Sequence, residues 1–182
     1  MPQTHFVVFG TGRSGSTLLA DILNLHPQIT CDREIFHRLA THRNRWQNLL
    51  RRVAPRLFIA SRQRAALQRS GRSIYGFLLH TKLGAEQVRQ PERLLQQLQR
   101  SGRQIIWLRR RDLFRQIISA QIANSTRRYH SGRRAEETEE DAPRLTIPVP
   151  QFTRMVNIGV TRHQRHCAMM ARLPQSWCTK TI

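Results

Sequence analysis

The chain is 182 residues long with 39% hydrophobic residues, about one domain with enough apolar material for a core, which excludes a disordered chain. It carries 31 basic against 11 acidic residues, a formal charge of +20, and Lys82 and Lys180 are the only lysines. An arginine-rich chain favours nucleic acid, a phosphorylated cofactor, an acidic polymer or a membrane surface, but arginines spread over solvated faces give the same composition, so charge alone does not choose.

Met1-Pro-Gln-Thr-His5 leads into Phe6-Val-Val-Phe9, a short buried strand that breaks at Gly10. That run is far short of the roughly 20 apolar residues of a membrane span, and no signal peptide precedes it, so a cytoplasmic location is expected. Gly10-Thr-Gly-Arg-Ser-Gly-Ser-Thr17 is a glycine- and hydroxyl-rich turn before a helix over 15–25 with apolar residues at Leu18, Leu19, Ile22, Leu23 and Leu25. Backbone N–H groups at such a helix start, aided by the dipole, favour a phosphate. Gly10, Gly15 and Thr17 fit the phosphate-loop pattern G-x4-G-K-[ST], yet Ser16 stands where the lysine belongs. The nearest cation is Arg13, inside the loop.

His26-Pro27 ends the helix, because a residue before proline is pushed out of the α region. A short extended piece, Pro27 to Cys31, leads into Glu34-Ile-Phe-His37. Residues 43–69 read as helical and very basic, interrupted at Pro55, and Ser73–His80 as a second strand. A polar helix over 91–100 stops at Ser101-Gly102. Gln104-Ile-Ile-Trp-Leu108 lacks alternation, as expected of a parallel strand buried on both faces. It passes into Arg109-Arg-Arg-Asp112 and a helix through about Asn124 with Leu113, Ile117 and Ile118 on its apolar side. Residues 126–148 read as a loop with a basic part (Arg127, Arg128, His130, Arg133, Arg134) and an acidic part (Glu136 to Asp141), followed by a helix over 150–172.

Strands alternating with helices predict a three-layer α/β, P-loop-like fold with a central parallel sheet flanked by helices, in one domain over 1–182. Cys31, Cys167 and Cys178 are odd in number and lack C-x-x-C pairing, so neither a disulfide framework nor a zinc site follows. A reducing compartment and no metal are expected.

Arg111 ends a predicted buried strand and Ser119 lies eight positions on, roughly two helical turns away. A guanidinium fork and a hydroxyl so placed can close on one phosphate; a solvated arginine and a small packing serine fit the same spacing. Taken with Arg13-Ser-Gly-Ser-Thr17, the pair resembles the sulfotransferases that use 3′-phosphoadenosine-5′-phosphosulfate (PAPS). Gly10 to Leu19, Asn24-Leu-His-Pro27 and Ile106-Trp-Leu-Arg-Arg-Arg-Asp112 are similar to their bacterial and carbohydrate-type members, and the resemblance is clearest over residues 5–130. It implies PAPS as co-substrate and PAP as product. Gly12, Arg13, Ser14, Gly15, Ser16 and Thr17 would cradle the 5′-phosphosulfate, Arg13 would neutralise the leaving phosphate, and Arg111 and Ser119 would hold the 3′-phosphate.

Such a transfer needs a base for the acceptor hydroxyl, positive charge on the sulfuryl oxygens and in-line positioning. Glu34 matches the family's post-helix glutamate in context, with Asp32 and His37 as alternates. The acceptor implied is a hydroxyl, with carbohydrate and glycolipid as candidates. Two departures stand out. Many relatives carry a lysine after the Gly-Phe of the second strand, where Leu78 follows Phe77 here, leaving His80 or Lys82 as substitutes. The family also continues beyond the 150–172 helix with a Tyr-Glu strand, whereas Leu173 to Ile182 offers none, which reads as a truncated or frame-shifted C-terminus with an exposed sheet edge. Two other readings are a P-loop kinase or triphosphatase, and a non-enzymatic binder of polyanions or nucleic acid. Ser16 argues against the first; no helix-turn-helix, zinc-finger or RNA-binding signature supports the second, so no specific nucleic acid is expected.

Overall fold

The computed structural model describes residues 4–37, 45–80, 88, 90–126, 146–173 and 178–181. In chain order these form β1 (Phe6–Gly10), α1 (Ser16–Asn24), β2 (Ile29–Glu34), α2 (Arg45–Val53), α3 (Pro55–Ser70), β3 (Ile74–His80), α4 (Pro91–Arg100), β4 (Gln104–Arg109), α5 (Leu113–Thr126), α6 (Val149–Ala171) and β5 (Cys178–Thr181). The chain divides into two compact units, Met1–Arg110 with Met169–Ile182, and Arg111–Ala168.

The first unit is built on a sheet ordered β2-β3-β1-β4-β5, with every pairing parallel. Parallel strands need both faces covered, and their side chains alternate between the two. On one face Phe6, Val8, Leu78 and Leu108 cluster with Cys31 and with Ala20 of α1, and Leu19 and Leu23 pack against them. On the other, Tyr75 stacks on Phe77 with ring centroids 6.1 Å apart, and Phe36 bridges Phe77 (6.3 Å) to Phe58 of α3 (5.4 Å). Helices α1 and α3 therefore cover opposite faces. Helix α3 opens on Pro55, whose missing N–H costs nothing in a first turn. Helix α4 opens on Pro91 in the same way and buries Leu94, Leu95 and Leu98.

The expected α/β architecture is what forms, with two local differences. Of the apolar residues on α1, only Leu19 and Leu23 pack inward with Ser16 and Ala20, the three- and four-residue spacing of one helix face. Leu18, Ile22 and Leu25 are exposed. At the C-terminal end, the expected open edge beside β4 is covered, since Cys178–Thr181 pairs with Ile106–Arg109. The outer edge of β2 is closed by a side chain: Asn24 donates from Nδ2 to Cys31 O (2.9 Å) and accepts from Cys31 N–H (2.8 Å), as a neighbouring strand would. Cys31 and Cys167 are free thiols. Burial, then the charges of Asp32 and Asp21, push the Cys31 thiol up to about 12.

In the second unit Phe114 of α5 packs on Phe152 of α6 at 5.3 Å between centroids, and Gln121 Nε2 donates to Met155 Sδ at 3.2 Å. Ile117 is buried as expected, but Ile118 is exposed. Lys82, and residues 127–145 with their basic and acidic runs, lie outside the described residues.

Candidate functional site

Between β1 and α1 the backbone turns through two left-handed residues, Arg13 at φ 64° and Gly15 at φ 87°. For Gly15 this is the reason for glycine; Arg13 takes the same strained region with a side chain attached, an arrangement that concentrates at functional loops. Ser14 is buried, and its hydroxyl donates to Thr11 O at 2.7 Å, closing the turn. That hydroxyl is committed to the loop, so only its backbone N–H is left for a ligand. Gly10 is required where β1 enters the turn, because a Cβ there would meet Leu108 O of β4 at 2.5 Å. Gly12, Arg13 and Thr17 are partly exposed, and Gly15 is exposed. No side chain caps α1 at Gly15, so its first turn presents N–H groups to whatever anion approaches.

The start of α5 differs. Asp112 accepts from Arg115 N–H at 2.9 Å, so this helix is capped by its own carboxylate. Arg111 is exposed just before it and Ser119 is half-buried along it, both in the second unit.

Ser16, in the position of the phosphate-loop lysine, is buried, and its Oγ lies 2.8 Å from Nε2 of His80 at the end of β3. The His80 ring is itself 3% exposed, with Nδ1 at 2.8 Å from Glu34 Oε1. Nδ1 therefore has a close carboxylate without a hydrogen bond of ordinary geometry. A carboxylate beside Nδ1 favours the proton on that nitrogen. In the neutral ring Nε2 then accepts from the Ser16 hydroxyl. Ser16, His80 and Glu34 form one chain of polar contacts running from the phosphate-type loop to the candidate base.

Glu34 reaches this place through an irregularity in β2. Asp32 is in register with Phe77 and Glu34 with Leu78, so Arg33 is an extra residue. Regular pairing would set Arg33 opposite Leu78 and turn Glu34 to the other face; the bulge returns it to the α1 face. Arg33 points that way too, pairing with Asp21 of α1 at 3.1 Å. Asp32 stays on the α3 face, where Oδ2 accepts from Arg62 Nη2 at 2.9 Å and from Tyr75 OH at 3.1 Å. Burial, with Asp32 adding to it, pushes the Tyr75 phenol well above its ordinary value. His37, the other alternate, is half-buried, and its N–H closes a turn onto Glu34 O at 3.1 Å.

The Sulfotransferase family model matches residues 5–107. The chain belongs to the sulfotransferase family. The matched region runs from just before β1 into β4, so it holds the loop, Glu34 and His80 and ends before Arg111 and Ser119. No curated protein matches the chain. Membership makes this protein a transferase of the sulfuryl-transfer class. Among the described residues no group of His, Cys, Asp and Glu is placed to hold a metal ion, and no helix is long and apolar enough to cross a membrane. Sequence reasoning reached His80 only as a stand-in for a lysine. Its one signal was a lone polar residue ending an otherwise apolar, buried strand.

Proposed function

We propose that this sulfotransferase moves a sulfuryl group from PAPS to a hydroxyl of an acceptor, with Glu34 as the base. The observation that carries this is the turn of Glu34 onto the α1 face by the β2 bulge, where His80 links it to Ser16 of the loop. The loop fits a phosphate: two left-handed residues, an uncapped helix start and a half-buried Arg13 make a small cationic cradle of N–H donors. PAPS, when bound, supplies the activated sulfuryl group. Gly12 to Thr17 would hold its 5′ end through backbone N–H groups and the Thr17 hydroxyl, and Arg13 would offset the charge left on the departing phosphate. Arg111 and Ser119 are the proposed 3′-phosphate pair, on the family resemblance.

Glu34 accepts the hydroxyl proton as the acceptor oxygen bonds to sulfur and the sulfur–phosphate oxygen bond breaks. His80, with Nδ1 2.8 Å from the Glu34 carboxylate, would hold that carboxylate in place, and Ser16 fixes the ring from its other side. Carbohydrate and glycolipid hydroxyls are the acceptor classes to try first. Ser16 is engaged with His80 and no lysine replaces it, which disfavours triphosphate hydrolysis.

The test is PAP binding by calorimetry and PAP release from PAPS with a panel of glycans. Micromolar or tighter PAP binding that weakens in Arg13→Ala, Arg111→Ala and Ser119→Ala is expected. Absence of PAP binding by the folded chain overturns the reading.

A further inference from the structure

Helix α2 carries its polarity inside out. Trp46, Leu49 and Val53, spaced by three and four residues on one helix face, are 74%, 50% and 73% exposed, and Leu57 in the first turn of α3 is 63% exposed. The side of α2 turned inward carries half-buried Leu50 and a charge: Arg51 is buried and donates from Nη1 to Phe36 O. A helix made only to pack on its own core would reverse this arrangement. Arg52 and Arg56, both exposed, stand beside the apolar residues. Between Ile35 and Ala85 the sequence has eleven arginines and lysines and no aspartate or glutamate.

We propose that this face docks on an anionic lipid bilayer. Trp46, Leu49, Val53 and Leu57 enter the boundary between headgroups and acyl chains, while Arg52 and Arg56 engage lipid phosphates. A basic helix with outward tryptophan and leucine matches an interfacial segment, which needs no shaped pocket in its partner. The charge selects the occupant. A second copy of the chain would bring two surfaces of the same sign together, which a carboxylate-free segment cannot offset. Nucleic acid or a soluble polyanion would satisfy the arginines but leave four apolar side chains in water. Anionic lipid satisfies both at once, through phosphate contacts from guanidinium forks and through apolar insertion.

Flotation of the full chain with vesicles of phosphatidylcholine alone, and of phosphatidylcholine mixed with phosphatidylglycerol, tests the proposal. The chain is expected to float with the mixed vesicles and not with pure phosphatidylcholine. The triple substitution Leu49→Ser, Val53→Ser, Leu57→Ser leaves every charge in place and is expected to weaken that binding by roughly tenfold or more. Arg52→Gln with Arg56→Gln, which keeps the apolar residues, is expected to weaken it as well and to flatten its salt dependence. Thermal melts of both variants verify that the fold survives these exposed changes. Failure to float with either vesicle overturns the proposal. So does a triple variant that floats as well as the parent, since charge alone then suffices. A concentration-dependent dimer, seen by sedimentation and lost in the triple variant, overturns it too by assigning the face to a second copy.

Discussion

Two carboxylates separated by one residue on β2 have opposite fates. Asp32 faces α3 and is held by Arg62 and Tyr75 on a single oxygen, in a contact that ties helix to sheet. Glu34 faces the loop and meets His80. The bulge at Arg33 accounts for the difference, because in a regular strand residues two apart share a face. Chemical similarity of the side chains says nothing about which face each one takes.

The largest expected effect separates the two by activity. Glu34→Gln should lower PAP release by about 10²- to 10⁴-fold, the usual worth of a positioned base, while its melting temperature stays near that of the parent. If Asp32→Asn instead removes activity at unchanged stability, the two roles are exchanged.

The next effect is a pH dependence of the buried groups on the two faces of the sheet around β2, Cys31 on the α1 face and Tyr75 on the α3 face. Cys31 and Tyr75 both have folded pKa values above their ordinary ones, with the thiol at about 12. Both are acids held neutral by burial, so the unfolded chain gives up their protons first. Stability from these groups is complete below about pH 9 and is lost as pH rises through the folded values. The Cys31 share reaches up to about 4 kcal/mol at the alkaline extreme. Urea titrations between pH 8 and 11, a range of roughly two to three units across which this linkage acts, should show a steep alkaline decline that Cys31→Ala and Tyr75→Phe make shallower. An unchanged slope would mean that Cys31 and Tyr75 are wetter than their packing implies.

Asp32→Asn should then cost about 1–3 kcal/mol in urea unfolding, because it leaves a partly buried arginine without its counter-charge. The same change is expected to alter turnover far less than Glu34→Gln. The smallest effect is at the strand's outer edge. Asn24→Ala should cost about 1–2 kcal/mol and increase thiol labelling of Cys31, read by mass spectrometry of its peptide, because the Cys31 backbone loses both hydrogen bonds to the Asn24 side chain.

Much of this architecture is legible in the residues. Apolar runs at Phe6–Phe9 and Ile105–Leu108, and the largely apolar Ile74–Leu79, mark parallel strands, and Pro55 interrupts the basic helical stretch where α3 begins. The left-handed Gly15 follows from a glycine at a strand-to-helix turn. What escaped sequence reasoning depends on position across the chain. Helix α1 turns Leu18 and Ile22 outward although their composition fits either face, since the sheet selects the Ser16–Leu19–Ala20–Leu23 stripe. Helix α2 reverses its polarity for an arginine that reaches a carbonyl on Phe36.

By itself, then, the sequence determined that a strand, a glycine-rich turn and a helix would meet at Gly10–Thr17, that parallel strands would follow, and that glutamate, aspartate and histidine near residue 34 were the bases to weigh. These are local properties, set by backbone freedom, side-chain periodicity and the chemistry of neighbouring residues. Only the tertiary structure set the two carboxylates on opposite faces of β2 and joined Ser16 to His80 across 64 positions of chain. A one-residue bulge costs nothing that composition records, yet it turns every side chain after it to the other face of the strand. A contact between distant residues exists only once parallel pairing has brought the ends of β1 and β3 together.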